Sequence, residues 1–165
     1  IQQPQSDDWF NEKNDDDDVK KDGKEKHENV KDVPCDLAQL NFEMYFKYNQ
    51  QDSNNKRKEF NNFCDNLKSC FLANPGLVIE VEASASKVPT RKYVTNERLA
   101  QARANSVQRK ILRGLERRGV KKAQVNFVTP ATTLVQGPEY QKDAKKNKST
   151  YEQFQYIKVK AYIKK

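Results

Sequence analysis

Hydrophobic and polar residues alternate with a period of two between Asp36 and Tyr48. The apolar positions are Ala38, Leu40, Phe42, Met44, Phe46 and Tyr48, and the residues between them are mostly polar. Successive side chains of a strand point to opposite faces, so one face here lies in a core and the other in water. The pattern predicts the first strand of the chain.

Two later segments have helical spacing, with apolar residues three or four positions apart. One is 54–72, with Phe60, Phe63, Cys64, Leu67 and Phe71. A polar turn at 50–55 offers Ser53 or Asn54 as its N-cap, and Pro75-Gly76 ends it. The other is 96–118, ended by Gly119, with Ala100, Ala104, Val107, Ile111 and Leu115. The sequence therefore predicts two amphipathic helices.

Three further strands are predicted, at 77–85, 122–129 and 153–163. The third has Ala123, Val125 and Phe127 on one face, and the last has Ile157, Val159, Ala161 and Ile163 facing inward. Residues 130–150 read as a long polar connection. The order β-α-β-α-β-β predicts an α/β two-layer sandwich, with both helices on one face of a mixed four-stranded sheet. The side chains predicted to be buried are Leu40, Phe42, Phe46, Phe63, Leu67, Ile79, Val81, Leu99, Val107, Ile111, Leu115, Phe127, Val159 and Ala161.

Charge divides the chain into a tail and a domain. Residues 1–34 carry eleven acidic and six basic side chains, a net charge of −5, and because the whole chain carries +8, residues 35–165 carry +13. The acidic segment 1–34 is predicted to be a disordered or partner-docked linker, with Trp9 and Phe10 as its docking anchor. The basic domain 35–165 should attract anionic partners. The chain begins at Ile1, which fits either a removed signal peptide or a fragment.

The sequence gives little support for an enzymatic function. The chain has five glycines and no glycine-rich phosphate loop, and its single histidine, His27, lies in the tail. Glu80 and Glu82 share one face of a strand, but no partner acid or base is identifiable. The spacing of Cys35, Cys64 and Cys70 matches no zinc pattern. We expect a protein that is not an enzyme and has no metal or cofactor.

The cysteines instead raise the question of a disulfide. A helix over 54–72 that returns antiparallel to the first strand brings Cys70 near Cys35. Cys64 and Cys70 are six residues apart on that helix, so their side chains diverge. In an exported chain the predicted bond is Cys35–Cys70. The alternative is three free thiols.

The residues at the start of the second helix form a recognisable spacing. Asn96, Leu99, Arg103, Ala104 and Val107 follow the pattern Asn-x-x-Leu-x-x-x-Arg-Ala-x-x-Val, with alanine at 100 where serine is usual. This pattern resembles the signature of OmpA-like domains, the peptidoglycan-associating modules of outer-membrane proteins, lipoproteins and flagellar stator proteins. The preceding segment 77–86 is similar to the central strand of that family, which normally ends in Gly-x-Thr-Asp. The resemblance covers roughly 35–163.

The resemblance implies a ligand site with two charges. In the family, the aspartate at the end of the strand binds the ammonium group of diaminopimelate in the peptidoglycan stem peptide. The arginine on the helix binds a carboxylate. Arg103 supplies that cation, beside Asn96 and Leu99 of the motif, but Ser86 stands where the aspartate would be. The loop 86–96 is about two residues longer than usual and adds three basic side chains. A second family arginine, on the last strand, is missing. Binding of the stem peptide is therefore expected to be weakened or lost.

Two classes of function follow for this chain. The resemblance implies a module of the cell envelope that anchors or scaffolds an envelope assembly through protein partners. It would lie in the periplasm, associated with the outer membrane, after removal of a signal peptide. The alternative is a basic structural subunit or a nucleic-acid-binding protein of a large assembly. This alternative rests on a basic helix face formed by Arg109, Arg113 and Arg117. Further basic residues nearby are Arg98, Lys110, Arg118, Lys121 and Lys122. No aromatic RNA-recognition strand accompanies this face, so nucleic acid is the weaker expectation.

Overall fold

A single mixed sheet organises the part of the chain described by the computed structural model, which is residues 32–47 and 56–164. Its strands are β1 (Asn41–Tyr45), β2 (Leu77–Ala85), β3 (Thr132–Val135) and β4 (Tyr156–Ile163). Their order across the sheet is β1-β4-β2-β3, with β4 antiparallel to β1 and β2, and β3 parallel to β2. The helices are α1 (Arg57–Ala73), α2 (Asn96–Arg117) and the short α3 (Lys148–Glu152). Short 3-10 turns cover Leu37–Gln39 and Lys122–Gln124.

The core lies between this sheet and the two long helices. Helix α1 packs against β1 and against α2, and α2 packs against β2 and β3. Alternate residues of β2, including Ile79 and Val81, point into the core. The predicted α/β architecture, with two helices on a mixed four-stranded sheet, is confirmed. All the predicted core side chains are buried except Phe127, which is half-buried.

The predicted third strand at 122–129 is wrong. Residues 122–124 form an exposed 3-10 turn, and Phe127 makes an isolated bridge to Ile79. The pairing strand is β3, inside the connection that was predicted to be polar. Its sequence Thr-Thr-Leu-Val is rich in β-branched residues, but it is an edge strand with no fully buried side chain. An edge strand shows little hydrophobic alternation, so periodicity could not identify it.

The first strand is shorter than its alternating pattern. Residues 37–39 form a 3-10 turn because Asp36 caps the Ala38 N–H at 3.0 Å. The amide of Asn66 on α1 also binds the Asp36 backbone, accepting at 2.8 Å and donating at 2.9 Å. Ala38 is therefore exposed, contrary to the predicted burial on the strand face. At the other end of the sheet Ile163, predicted to face inward, is 40% exposed at the last residue of β4.

Several predicted features lie outside the described residues. They are the tail 1–31 with Trp9 and Phe10, the polar turn with its caps Ser53 and Asn54, and Tyr48. The boundary between 1–34 and 35–165 stays a prediction. Among the described residues, no helix has the length and apolar character needed to cross a membrane.

A tightly packed contact joins α1 to α2. Gly114 of α2 lies so close to α1 that a Cβ added to it would be 2.9 Å from Cys64 Sγ. Beside this contact Arg118 Nε donates to Asp65 Oδ1 at 2.8 Å, and both side chains are buried. Cys64 is a free, completely buried thiol, and burial raises its pKa to about 12.

The segment before β1 is fastened to α1. A disulfide joins Cys35 to Cys70, with their Cα atoms 4.7 Å apart. Ser69 Oγ donates to the Val33 carbonyl, and Lys68 forms an ion pair with Asp32 at 3.0 Å. These contacts fix the point at which residues 1–31 join the domain.

Candidate ligand-binding site

The motif residues of α2 meet the carboxyl end of β2. Thr95 caps the helix by accepting the Arg98 N–H at 3.2 Å, and Asn96 is its half-buried first residue. One turn later Leu99 is completely buried against Ala85, Ala100 and Tyr93. This contact fixes how α2 sits on the strand end and places the next turn of the helix, with Arg103, over the sheet.

Arg103 is completely buried, with 0% of its surface exposed. Its Nη1 donates to the Ser84 carbonyl at 2.8 Å, and its guanidinium carbon lies 4.3 Å from the centre of the Phe46 ring. Sequence spacing predicts that the stem of Arg103 borders the core, and the structure buries the charged head as well. The guanidinium therefore binds groups of its own protein in the position where the resemblance places a ligand carboxylate.

Ser86, at the other predicted ligand position, is also completely buried. Its hydroxyl accepts a hydrogen bond from Gln155 Nε2 at 2.8 Å and one from the Val88 N–H at 3.4 Å. Gln155 immediately precedes β4 and is itself fully buried. The Gln155 amide thus donates an N–H to Ser86. In the site that the resemblance implies, the ammonium group of the ligand would be the donor at this position.

Two loops pack together beside this strand end. Val88, from the loop after β2, is buried against Ala144 and Tyr151 of the connection between β3 and β4, and Tyr140 packs on Tyr151 with ring centres 5.7 Å apart. The Tyr151 hydroxyl donates to Asp143, and this bond is the main cause of the lowered pKa of Asp143. This small core was not predicted from the sequence. The aromatic residues in an otherwise polar connection were the available signal.

The carboxylates of β2 lie on the other face of the sheet. Glu82 accepts from the Tyr156 hydroxyl at 2.7 Å, and Glu80 forms an ion pair with Lys160 at 3.0 Å. Burial, followed by the bond to Glu82, raises the pKa of Tyr156. Because β2 side chains alternate between faces, Glu80 and Glu82 point away from the helices and cannot replace the missing aspartate beside Arg103.

Polar groups continue along this open face of the sheet. Gln136 Nε2 donates to Ser84 Oγ and to the Tyr156 hydroxyl, both at 3.0 Å. A groove of about 640 Å³ lies on the same face. It is lined by Asn41, Phe42, Glu43, Glu80, Glu82, Thr132, Lys158, Val159 and Lys160. Its glutamates and lysines alternate across neighbouring strands, which is a pattern typical of a solvated sheet surface.

The basic helix face is smaller than predicted. Arg98 and Arg109 are exposed, and Arg113 and Arg117 are half-buried. Lys110 and Arg118 are buried instead, and Arg118 is the partner of Asp65, so including these two in the basic face was wrong. Within 32–47 and 56–164, no group of three or more histidine, cysteine, aspartate or glutamate side chains is arranged to hold a metal ion.

Comparisons with known proteins give structural neighbours only. No family profile matches the chain, and no curated protein matches it. The peptidoglycan-associated lipoprotein from Burkholderia pseudomallei is 18% identical, with a TM-score of 0.45 over 73% of this chain and 89% of its own. The periplasmic domain of Helicobacter pylori MotB is 13% identical, with a TM-score of 0.42 over 76% of each chain. These values are too low to transfer a function.

Proposed function

We propose that residues 35–165 form a non-enzymatic OmpA-like module of the cell envelope, which anchors or scaffolds an envelope assembly and in which peptidoglycan binding is weakened or lost. The observation that carries the proposal is the burial of Arg103. The motif Asn96–Val107 brings this arginine to the end of β2, where the resemblance requires it, but its guanidinium is bound to the Ser84 carbonyl and stacked on Phe46.

The energetics favour weak binding. A stem-peptide carboxylate must displace the contacts of Arg103, and an ammonium group must displace the Gln155 amide from Ser86. A charged hydrogen bond contributes about 1.5–3 kcal/mol, which has to offset these lost contacts and any opening of the packed loops. With serine in place of aspartate, the ammonium end gains a hydrogen bond to a neutral hydroxyl but no ion pair. The site is therefore suited to holding α2 on the sheet more than to holding a ligand.

The disulfide supports the proposed location. Disulfides persist in oxidising compartments such as the bacterial periplasm and are rare in the cytosol. The Cys35–Cys70 bond therefore fits an exported chain. We place the module in the periplasm, associated with the outer membrane, with Trp9 and Phe10 of the tail as contacts for a protein partner.

Co-sedimentation with purified peptidoglycan sacculi tests the proposal. The full chain is compared with an OmpA-like domain that carries both the aspartate and the arginine. We expect the full chain to sediment clearly less. Sedimentation equal to that of the reference domain would contradict the loss of binding.

Substitution at Ser86 sharpens this test. Ser86→Asp restores the family's carboxylate, which would raise the affinity for sacculi if the pocket were open. Because Ser86 is completely buried, we expect no gain over the isosteric neutral control Ser86→Asn. A gain of tenfold or more for the aspartate variant alone would show that the site opens and still accepts the ligand.

A further inference from the structure

The two edges of the sheet differ in how they are protected. At one edge, β3 is four residues long and lies between Pro130 and Pro138, which have no backbone N–H to donate. At the other edge, the segment 41–47 contains no proline. An unprotected edge strand pairs readily with another chain, and natural sheets use short strands and prolines to prevent this. The edge at β1 is therefore the one that is open to pairing.

The outer side of β1 presents backbone groups that its own sheet does not use. The Phe46 N–H donates to the carbonyl of Gln155, which immediately precedes β4, at 2.7 Å. In this antiparallel register the even-numbered residues bond to β4, so the odd-numbered residues turn their N–H and C=O groups outward. In the part of the chain that the structure describes, no backbone hydrogen bond reaches Glu43 or Tyr45 from that outer side. These groups are in place to form a new ladder.

The side chains on the open face of the sheet form a row of alternating charge that ends at this edge. Glu82 of β2 lies beside Lys158 of β4, and Lys158 lies beside Glu43 of β1. Glu43 is exposed and is the last member of the row. Opposite charges on adjacent strands stabilise a sheet, and like charges destabilise it. A basic side chain on an added strand would continue the row.

The same segment of the chain carries a matching base. Lys47 is exposed and follows Glu43 by four residues, so the period of two places both side chains on the open face. When two β1 segments pair antiparallel about a two-fold axis at Tyr45, Glu43 of each copy lies opposite Lys47 of the other. An axis at residue 43 would place two glutamates opposite each other, and an axis at residue 44 would form no charge pair. Charge therefore favours the register centred on Tyr45.

We propose that two copies of this chain associate through β1, as an antiparallel strand pair centred on Tyr45. Two four-stranded sheets then form one continuous sheet, in which Lys47 of the second copy follows Glu82, Lys158 and Glu43 of the first. The partner runs in the opposite direction, so the carboxyl ends of the two β2 strands lie at opposite ends of the dimer. A scaffold of this kind has two attachment points, and its assembly does not depend on peptidoglycan binding.

Sedimentation equilibrium of the full chain measures the association. We expect a reversible monomer–dimer equilibrium with a Kd between about 10 μM and 1 mM, since small interfaces bind weakly. The Kd should rise with salt, because salt screens exposed ion pairs. A chain that stays monomeric at about 1 mM would overturn the proposal.

Hydrogen exchange of the full chain locates the contact. The outward amides of Glu43 and Tyr45 should exchange at least fivefold more slowly in the dimer than in dilute monomer. The Met44 amide is the internal control, because it bonds to β4 in both states and should not change. A dimer in which Glu43 and Tyr45 gain no protection would use another surface and would contradict the proposal.

Charge reversal tests the register. Glu43→Lys and Lys47→Glu each place like charges opposite each other, and each should raise the Kd at least tenfold. In an equimolar mixture of the two variants every such pair joins a lysine to a glutamate, so dimerisation should recover to within about threefold of the unchanged chain. The control Glu97→Lys makes the same change in net charge at an exposed position outside β1 and should not alter the Kd. Failure of the mixture to recover, or an equal loss in the control, would refute the register.

Blocking the backbone gives an independent test. Tyr45→Pro removes the N–H at the two-fold axis but no hydrogen bond to β4, because edge strands accept proline where the N–H faces solvent. It should abolish the dimer, whereas Tyr45→Ala keeps the N–H and should retain it. The amide NMR spectrum of each variant checks that the domain is folded. A folded proline variant that still forms dimers would overturn the proposal, and if this variant does not fold, the charge-reversal mixture decides.

Discussion

Two arginines are buried, Arg103 within helix α2 and Arg118 directly after its last residue, and they are held by different chemistry. Near the C-terminal end of α2, Arg118 donates to the Asp65 carboxylate at 2.8 Å and to the Gly114 carbonyl at 2.8 Å. In its N-terminal half, Arg103 donates to the Ser84 carbonyl and stacks on the Phe46 ring. Arg118 fastens α2 to α1, and Arg103 fastens α2 to the end of the sheet.

The comparison shows that a motif does not reveal how its residue is used. Arg103 belongs to a spacing that resembles a ligand-binding signature, whereas Arg118 looked in the sequence like one more basic residue on an outer face. Both side chains are buried in the structure. Arg118 binds the carboxylate of Asp65, whereas the resemblance predicts that Arg103 binds a carboxylate of a ligand. We therefore regard both arginines as structural, and the following experiments test that interpretation.

The largest effect is expected at Arg118. Arg118→Met leaves the Asp65 carboxylate buried without its cation, and breaking such a pair typically costs about 3–5 kcal/mol. Arg103→Met leaves the Ser84 carbonyl without this donor, at a cost of about 1–3 kcal/mol. Urea unfolding at constant pH measures both. The double variant Asp65→Leu/Arg118→Met should recover most of the first loss. A larger loss at Arg103 than at Arg118 would reverse the comparison.

Truncation of Leu99 tests how the motif at the start of α2 packs on the sheet. Because its side chain is completely buried against Ala85 and Ala100, Leu99→Ala should lower the free energy of unfolding by about 2–5 kcal/mol. Leu72→Ala on α1 is the matched control, since Leu72 is 72% exposed and its truncation should change stability by about 0.5 kcal/mol or less. Equal effects of the two variants would mean that α2 is rotated from the position described.

Gly114 tests the close packing beside Arg118. In Gly114→Ala the new Cβ lies 2.9 Å from Cys64 Sγ, so either the Cys64 side chain or the helices must shift. Overpacking of this kind costs about 1–3 kcal/mol, even though alanine favours a helix more than glycine does. Cys64→Ala/Gly114→Ala removes the sulfur and should restore thermal stability to about the value of Cys64→Ala. Failure of this rescue would show that Cys64 is not the obstacle.

Because the Cys64 thiol is buried beside this end of α2, we expect the free energy of unfolding to depend on pH. Burial raises its pKa from 9.0 to about 12, so the folded state holds the proton more tightly than the unfolded chain. Stability is therefore unaffected by this thiol well below pH 9 and falls as the pH rises through 9, by about 1 kcal/mol at pH 10. Cys64→Ala should lack this component. Identical pH profiles of the two proteins between pH 8 and 10 would contradict it.

The parts of the fold in which burial is periodic could be predicted from the sequence. The alternating side chains in and beside β1, at Leu40, Phe42 and Phe46, are buried. So is the α2 stripe through Val107, Ile111 and Leu115, which repeats with the period of a helix. Strand β3 was missed because an edge strand buries little and has no regular period. The 3-10 turn at 37–39 was missed because the Asp36 cap interrupts the alternating pattern, and a tertiary contact from Asn66 of α1 also holds the turn.

The candidate site was less predictable, for a physical reason. Residue spacing placed Arg103, Leu99 and Ser86 near one another, since a strand end and the following helix start are neighbours in the chain. Whether their polar groups face a ligand or the protein depends on Gln155, which is 69 residues from Ser86 in sequence. A contact at that separation leaves no local pattern. Burial of a whole guanidinium depends in the same way on Phe46, from a different element.

The side-chain NMR signal of Arg103 tests the central claim most directly. Because the guanidinium is completely buried, its Nε–H should exchange slowly with water and give an observable resonance at neutral pH. We predict that adding purified diaminopimelate-containing stem peptide to millimolar concentration leaves this resonance, and the amides of Ser86 and Asn96, unchanged. A saturable shift of the Arg103 Nε–H signal would contradict the account, because it would show that the arginine leaves its internal partners to bind the ligand.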